Sequence, residues 1–413
     1  MKTKDDKRHE NLIDEFPNLG VTMPKQVFDA IRLADETTND YLGDLWKSNV
    51  KENMSKFFPS CGWLNDGYAE LGKYKAVITV GSGPSLKKNK DYLKTLSLTD
   101  GTREFEDQDF IVMTPNHQLK SCFKAGIIPH FGMLGDGSPD LADQMDVGDT
   151  GKYTTLIASI VASPDVIAKW KGPVKFICPK SPAVIEIVEE HLGKKLPEGW
   201  CVTGGGNIMN LSFSIGVGLF RSSVWMCVGN DLSYPVASNL KDRRKGYYED
   251  GDYSTNIKSK RDEARNEIVW AGFKLRDNVI WSPRNTTLWE GEWRYTANQL
   301  FLYKSWLETN AMMLWDRGEQ FHIYNCSEAG ILGMMLKEEM IPPEKYDEKF
   351  DPDSWFLLDE ISKGRWRTRS LFHACEEFHD AKIKLFGRDK WSSNPIISDV
   401  QSAKIGLGNK IIH

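Results

Sequence analysis

The chain has 413 residues, of which 40% are hydrophobic and 27% are charged, and its formal net charge is −5 at pH 7. This length and composition predict a globular protein with one large folded unit or two ordinary ones. The acidic balance argues against indiscriminate nucleic-acid binding, which needs a basic surface. The longest weakly polar stretch, residues 208–220, is too short to cross a bilayer, so we expect no membrane span.

The N-terminal region, residues 1–73, is the first predicted unit. It begins with MKTKDDKRHENLIDEF, which has no apolar core of a secretory signal. The seven cysteines of the whole chain are scattered, with no C-x-x-C pair, which predicts reduced thiols and a cytoplasmic location. Apolar residues between Lys25 and Leu71 recur at helical spacing, so we expect a helical N-terminal cap.

The central region, residues 74–334, alternates short apolar runs with amphipathic segments. Such alternation is typical of βαβ units and of a parallel sheet that is covered on both faces. The sequence therefore predicts an α/β, Rossmann-like, mostly parallel sheet with helices on both faces. The predicted strands are 76–80, 109–116, 130–137, 154–161, 172–179 and 222–231, and the predicted helices are 85–96, 117–126 and 207–220.

Two further segments differ in composition from this pattern. Residues 236–268 form a charged insertion that contains three tyrosines, and we interpret it as either a mobile lid or a solvated insertion. If the protein acts on a nucleic acid, its basic residues are the natural phosphate contacts: Lys241, Arg243, Arg244 and Lys245. Residues 335–413 are rich in tryptophan, phenylalanine and charge, and we interpret them as a C-terminal accessory helical region.

Polar residues follow several predicted strands, at the edge of the sheet where ligands bind in open α/β folds. The first group is GSGPS (81–85), where glycines allow backbone N–H groups to approach an anion at the start of a helix. A tight turn without a ligand is the alternative interpretation. The residues predicted to bind a nucleotide are Gly81, Ser82, Gly83, Pro84, Ser85, Asn116, Gly135, Gly205 and Asn230.

Carboxylates and proton-carrying side chains occur at the same strand ends. Asp136 and Asp231 are the predicted ligands of Mg²⁺, which typically takes one or two carboxylates plus phosphate oxygens. His117, Asp231 and Glu328 are candidate bases, and Tyr234 is a candidate hydrogen-bond donor to a leaving phosphate. Each has a plainer alternative, such as turn formation for Asp136 or a surface helix position for His117.

Four motifs in order resemble the MptE-like family, which contains 6-hydroxymethylpterin diphosphokinases and motility accessory factors. The first motif is VGSGPSL (80–86), and the second is TPNHQLKSCFKAGIIPHF (114–131), which leads into LGDGSPD. The third is VGNDLSYP (228–235), which follows GGGNIMNLSFSIGVGLF (204–220). The fourth is YNCSEAGILG (324–333), which YKSWLE (303–308) precedes. The first two also resemble the nucleotide loop of bacterial sialyltransferases that use a CMP-sugar. This resemblance extends over residues 74–334 and implies a Rossmann-like nucleotide-binding domain.

The resemblance implies a nucleotide-bearing donor and leaves three functions open. The first is a glycosyltransferase that uses a nucleotide-sugar, and the extra segments favour a larger acceptor, which is a protein, a glycan or a modified nucleic acid. The second is an Mg²⁺-dependent diphosphokinase that transfers from ATP to a pterin-like substrate. The third is a non-catalytic nucleotide-binding module. We favour the glycosyltransferase.

Overall fold

The computed structural model describes residues 43–98, 108–233, 278–284, 287–296, 298–336 and 355–386. Within these ranges the strands are β1 (Ala76–Val80), β2 (Phe110–Pro115), β3 (Phe131–Leu134), β4 (Thr155–Ser159), β5 (Val174–Pro179), β6 (Cys201–Val202), β7 (Val224–Val228), β8 (Asn278–Arg284), β9 (Thr287–Thr296), β10 (His322–Asn325), β11 (Met334–Leu336), β12 (Trp355–Leu357) and β13 (Trp366–Thr368).

Nine of these strands form one sheet in the order β13-β10-β7-β1-β2-β3-β4-β5-β6. Every pairing within this sheet is parallel. The other four strands form two antiparallel pairs, β8 with β9 and β11 with β12.

Helices connect the strands. The first described helix covers residues 43–56, and the later α-helices are Phe58–Cys61, Asn65–Tyr68, Lys90–Leu96, Asn116–Lys124, Pro164–Ala168, Pro182–Leu192, Ile208–Phe213, Asn298–Asp316, Leu358–Ile361 and Leu371–Phe386. Among the described residues, three short segments have 3₁₀ geometry, namely Pro84–Lys88, Pro139–Asp143 and Gly148–Tyr153. One π-helical segment, Ser214–Leu219, continues the helix Ile208–Phe213.

The central strand β1 shows why both faces of the sheet are covered. All five of its residues are buried, and successive side chains of a strand point to opposite faces. Val77 packs in one hydrophobic cluster with Phe213 and Trp225, whereas Ile78 packs in another with Leu93. The Rossmann-like α/β fold with helices on both faces is therefore confirmed.

The six predicted strands are all present, and the predicted helices differ in detail. The helix expected over 85–96 is a 3₁₀ turn followed by the helix Lys90–Leu96, because Leu86 N–H and Asn89 N–H bond to carbonyls three residues back. The helix expected over 207–220 changes to π geometry at Ser214. The helix expected over 117–126 covers Asn116–Lys124.

The part of the chain after residue 334 contributes strands as well as helices. β13 pairs with β10 at the edge of the main sheet. The helix Leu371–Phe386 packs on the sheet through Leu371 and Phe378, in one cluster with Val224 of β7. The sheet therefore extends beyond the boundary predicted at residue 334.

In the N-terminal region, Asn49 and Asn53 of the helix 43–56 bond to loop carbonyls near the end of β4.

The charged insertion predicted over 236–268 lies outside the described residues. Among the residues that the structure describes, no helix has the length and apolar character that a membrane crossing requires.

Candidate functional site

The candidate site is a cleft at the carboxyl ends of β1, β2 and β7. The chain passes from β1 to β2 on one side, and β7 pairs with β1 on the other side, so the strand order reverses here. Ligands of open α/β sheets bind at such reversals. The lining residues are Gly81, Ser82, Gly83, Asn116, His117, Asn207, Ile208, Met209, Gly229, Asn230, Asp231, Leu232 and Tyr303.

The cleft contains some of the predicted site residues and not others. Those that line it are Gly81, Ser82, Gly83, Asn116, His117, Asn230 and Asp231. Those that do not belong to this lining are Pro84, Ser85, Gly135, Gly205, Asp136 and Glu328. Tyr234 lies outside the described residues.

The glycine loop after β1 packs on the end of β7. Gly81 N–H donates to Val228 O and Gly83 N–H donates to Gly229 O, each at 2.7 Å. A Cβ atom on Gly81 would lie 2.4 Å from Gly229 O, and one on Gly83 would lie 2.7 Å from Asp231 Cγ. The glycines thus allow two backbone segments to meet, and these two N–H groups do not form the anion cradle that the sequence predicted.

Ser82 is the loop residue whose side chain reaches across the cleft. Its Oγ lies 2.9 Å from His117 Nε2, and the direction of this hydrogen bond depends on the imidazole tautomer. His117 stands in the first turn of the helix Asn116–Lys124, directly after β2. The contact therefore joins the ends of β1 and β2 with a hydroxyl and an imidazole, and the imidazole of a lining residue is well suited to accept a proton.

Two amide side chains add hydrogen-bonding capacity. Asn116 is buried and its Nδ2 donates to Gln144 Oε1 at 2.5 Å, so it does not cap its own helix, whose N-cap is Pro115. Asn230 is 3% exposed, and its backbone N–H donates to Ser327 Oγ at 2.9 Å.

The Cys227 thiol lies close to the Asn230 side chain below the cleft. Burial raises the pKa of Cys227 to about 12, and the Asn230 side chain lowers that pKa by a smaller amount. The thiol is therefore protonated and is not a nucleophile at neutral pH.

The opposite wall comes from the helix Ile208–Phe213 and from Tyr303. Asn207 caps this helix by accepting from Asn210 N–H at 2.8 Å. Asn210 in turn donates to Gly205 O at 2.9 Å and to Tyr303 O at 3.0 Å. The ring of Trp306 covers Gly205, which explains why that glycine is not part of the lining.

Sequence reasoning did not assign Ile208, Met209, Leu232 and Tyr303 to the site. Tyr303 lies in YKSWLE, a motif that the sequence did single out, but its position in the cleft depends on a contact with residues almost a hundred positions earlier. The three apolar residues carried no signal, since each also fits a core position.

The two carboxylates that the sequence predicted as magnesium ligands have different surroundings. Asp231 is 4% exposed, and its two oxygens accept hydrogen bonds from Ser85, one from N–H at 3.0 Å and one from Oγ. Asp136 is exposed and accepts from Ser138 N–H at 2.9 Å, as in a turn. Within the described ranges, no group of three or more His, Cys, Asp or Glu side chains is arranged to hold a metal ion. Asp231 is thus engaged by Ser85, Asp136 lies outside the cleft lining, and the binding of magnesium by these two carboxylates stays a prediction.

Glu328 also lies apart from the cleft lining. It is exposed and has a φ of 50°. Its neighbour Ser327 is the residue that contacts the site, through Asn230 N–H. A role of Glu328 as a base stays a prediction.

Comparison with known proteins agrees with the motifs. A family model described as 6-hydroxymethylpterin diphosphokinase MptE-like matches residues 47–237. Residues 47–237 are therefore similar to the MptE-like family, and the resemblance that the motifs predicted is confirmed over these residues. The match ends before YKSWLE and YNCSEAGILG. No curated protein matches the sequence.

A solved structure, described as a MAf glycosyltransferase from Magnetospirillum magneticum AMB-1, is similar to this chain at 14% sequence identity with a TM-score of 0.41. The similarity covers 74% of this chain and 42% of that chain. The present chain thus corresponds to less than half the length of that protein, and a likeness of this size carries no argument about activity.

Proposed function

We propose that the protein is a nucleotide-dependent transferase, and specifically a glycosyltransferase that takes a sugar from a nucleotide-sugar donor bound in the cleft. The observation that carries this proposal is the set of hydrogen-bonding side chains at the strand reversal, namely Ser82, Asn116, His117, Asn207 and Asn230. The fold binds ligands at this place, and a neutral polar cleft suits a sugar and a nucleotide.

The charge of the lining distinguishes this proposal from the diphosphokinase. Among the described lining residues there is no lysine or arginine, and the one carboxylate, Asp231, is engaged by Ser85. Phosphoryl transfer from ATP depends on cationic groups or metal ions that neutralise the phosphates. The described cleft therefore supports a donor of lower charge. The family description supports the alternative, a diphosphokinase that uses ATP and magnesium.

The proposed chemistry is a substitution at the anomeric carbon of the donor. The acceptor hydroxyl oxygen forms the new bond to that carbon, and the bond from carbon to the phosphate oxygen breaks. The acceptor proton passes to His117, whose Nε2 is fixed by Ser82. Tyr234 as a donor to the leaving phosphate is part of the proposal. The acceptor class, which is a protein, a glycan or a modified nucleic acid, is likewise proposed from the extra segments of the chain.

The first experiment identifies the nucleotide. CMP, UDP, GDP and ATP are each added to the full-length protein, with and without Mg²⁺, and the melting temperature is recorded. A shift with CMP, UDP or GDP supports a nucleotide-sugar donor. A shift only with ATP and Mg²⁺ supports the diphosphokinase, and an unchanged melting temperature with all four contradicts nucleotide binding.

The second experiment separates catalysis from binding. His117→Ala removes the proposed proton acceptor, and His191→Ala is the matched control because His191 is exposed on the helix Pro182–Leu192. We expect His117→Ala to lower donor turnover by about 100-fold or more, the usual contribution of a general base. If wild-type protein binds the nucleotide but turns over no nucleotide-sugar, the result contradicts the transferase and supports a non-catalytic nucleotide-binding module.

A further inference from the structure

Asp231 stands at the meeting point of three chain segments that line or support the cleft. Its carboxylate accepts from Ser85 N–H and Ser85 Oγ, and these residues are 146 positions apart. Its backbone carbonyl accepts from Ile331 N–H at 3.0 Å. The loop after β1, the end of β7 and the segment after β10 are thus joined through one residue.

The same contacts use most of the N–H groups of the glycine loop. Gly81 and Gly83 donate to β7 and its following residue, Ser85 donates to Asp231, and Pro84 has no N–H. Ser82 is the one residue of these five that stands outside these bonds, and it is the one whose side chain contacts His117. Of the three loop residues that line the cleft, Gly81, Ser82 and Gly83, Ser82 therefore supplies the side chain that can hydrogen-bond a ligand.

We propose that Asp231 is a positioning residue of the proposed transferase: by holding Ser85 it sets the loop so that Ser82 orients His117 toward a ligand in the cleft. This inference rests on the proposed function for the identity of the ligand, but the geometry that it describes exists without a ligand. It replaces the metal-ligand and base roles that the sequence suggested for Asp231.

The chemistry of the contact supports a positioning role. Hydrogen bonds to an ionised carboxylate are stronger than those between neutral groups, and a buried carboxylate needs such donors. Gly83 lets the carboxylate approach, since a Cβ atom there would occupy its place. A carboxylate with both oxygens bonded to a serine of the loop is well suited to fix that loop, and poorly placed to take a proton from an acceptor.

The test compares Ser85→Ala with Ser212→Ala. Ser85 is buried outside the cleft lining, and its substitution removes one of the two bonds to Asp231. Ser212 is also buried, outside the lining, with its Oγ bonded to Thr79 Oγ1 and Met209 O. Both variants lose a buried hydroxyl, so a general loss of stability affects them alike.

The first readout needs no ligand. The ring nitrogen resonances of His117 are followed by NMR in protein labelled at histidine, with His117→Gln for assignment. We expect Ser85→Ala to displace these resonances in the same direction as Ser82→Ala does, and Ser212→Ala to leave them in place. Unchanged His117 resonances in Ser85→Ala would overturn the proposal, whatever nucleotide the protein binds.

The second readout is affinity for whichever of CMP, UDP, GDP and ATP binds the wild type, measured by calorimetry with and without Mg²⁺. We expect Ser85→Ala and Asp231→Asn each to weaken binding by about tenfold, as for loss of one charge-assisted hydrogen bond, with an unchanged magnesium effect. If Asp231→Asn abolishes a magnesium effect that Ser85→Ala retains, Asp231 is a metal ligand and the proposal is wrong. If none of the four nucleotides binds, the proposed function fails, and the NMR result still decides the role of Asp231.

Discussion

Lys304 and Glu308 form an ion pair one turn apart in the helix Asn298–Asp316, with side chains only 3% and 2% exposed. The second oxygen of Glu308 accepts from Gly333 N–H at 2.8 Å. Burial lowers the pKa of Lys304, and the charge of Glu308 opposes this shift. The pair therefore fixes the helix that carries Tyr303 to the segment before β11.

Removal of Glu308 alone should destabilise the protein strongly. Glu308→Gln leaves the buried Lys304 without its carboxylate, and breaking a buried pair in this way typically costs about 3–5 kcal/mol. In the double variant Lys304→Met/Glu308→Leu, the free energy of unfolding should fall by much less than in Glu308→Gln, because no buried charge is left without its partner. Urea unfolding gives the free energies of unfolding. The control is Glu52→Gln, which breaks an exposed pair with Lys56 and should cost less than about 1 kcal/mol. An equal loss in the single and double variants would contradict this account.

Gly83→Ala should destabilise the loop after β1. The new Cβ would lie 2.7 Å from Asp231 Cγ and 2.7 Å from Gly229 O, so the loop or the carboxylate must move. We expect a loss of about 1–3 kcal/mol, the usual cost of overpacking. Gly204→Ala is the matched control, because a Cβ there meets nothing within 4 Å. The measurement is the melting temperature of each variant. Equal melting temperatures for Gly83→Ala and Gly204→Ala would show that the loop accommodates the added methyl group without loss of stability.

Asn210→Ala should weaken both stability and nucleotide binding. The variant leaves the carbonyls of Gly205 and Tyr303 without the Nδ2 donor, at a cost of about 1–3 kcal/mol, and frees the wall that carries Tyr303. Asn49→Ala is the control, since Asn49 Nδ2 also donates to two carbonyls, Gly137 O and Val161 O, but neither of these carbonyls belongs to a lining residue. Calorimetry with the bound nucleotide should show weaker binding for Asn210→Ala alone. Equal affinities in both variants would show that Asn210 does not support the cleft wall.

Acid should destabilise the fold through buried histidines. Burial, with Arg367 and Arg365, lowers the pKa of His322 to about 4, whereas the unfolded chain has the ordinary value of 6.5. Between these two values the unfolded state binds one more proton, so the free energy of unfolding falls by about 1.4 kcal/mol per pH unit as the pH decreases. Burial, with Lys75, lowers the pKa of His130 to about 3, which adds a second contribution of the same sign.

His322→Gln tests this assignment. Between pH 7 and pH 5 the free energy of unfolding should fall less in the variant than in the wild type, by about 2 kcal/mol. The exposed His191 supplies the control, and His191→Gln should leave the fall unchanged. Urea unfolding at the two pH values gives the comparison. A fall as large in His322→Gln as in the wild type would mean that other groups cause the acid sensitivity.

Local sequence determined the central fold. Runs such as AVITV and VWMCV are short, apolar and rich in β-branched residues, and each is a fully buried strand, β1 and β7. Their alternation with helical segments was enough to predict a parallel sheet, because parallel strands need covered faces and crossover connections. The tail was harder, since β13 is only three residues long and its strand character depends on pairing with β10.

The site was determined in part by sequence and in part by tertiary structure. The positions of Ser82, Asn116, His117 and Asn230 at strand ends follow from the strand pattern, and the carboxyl ends of parallel strands meet at one edge of the sheet. The roles of the glycines and of Asp231 did not follow. Glycine is required equally by a bound phosphate and by a neighbouring backbone, and only the pairing of β1 with β7 brought Gly81 to Gly229 and Ser85 to Asp231. Local residue patterns encode how a segment folds, whereas contacts across 146 positions depend on the strand order that the whole chain adopts.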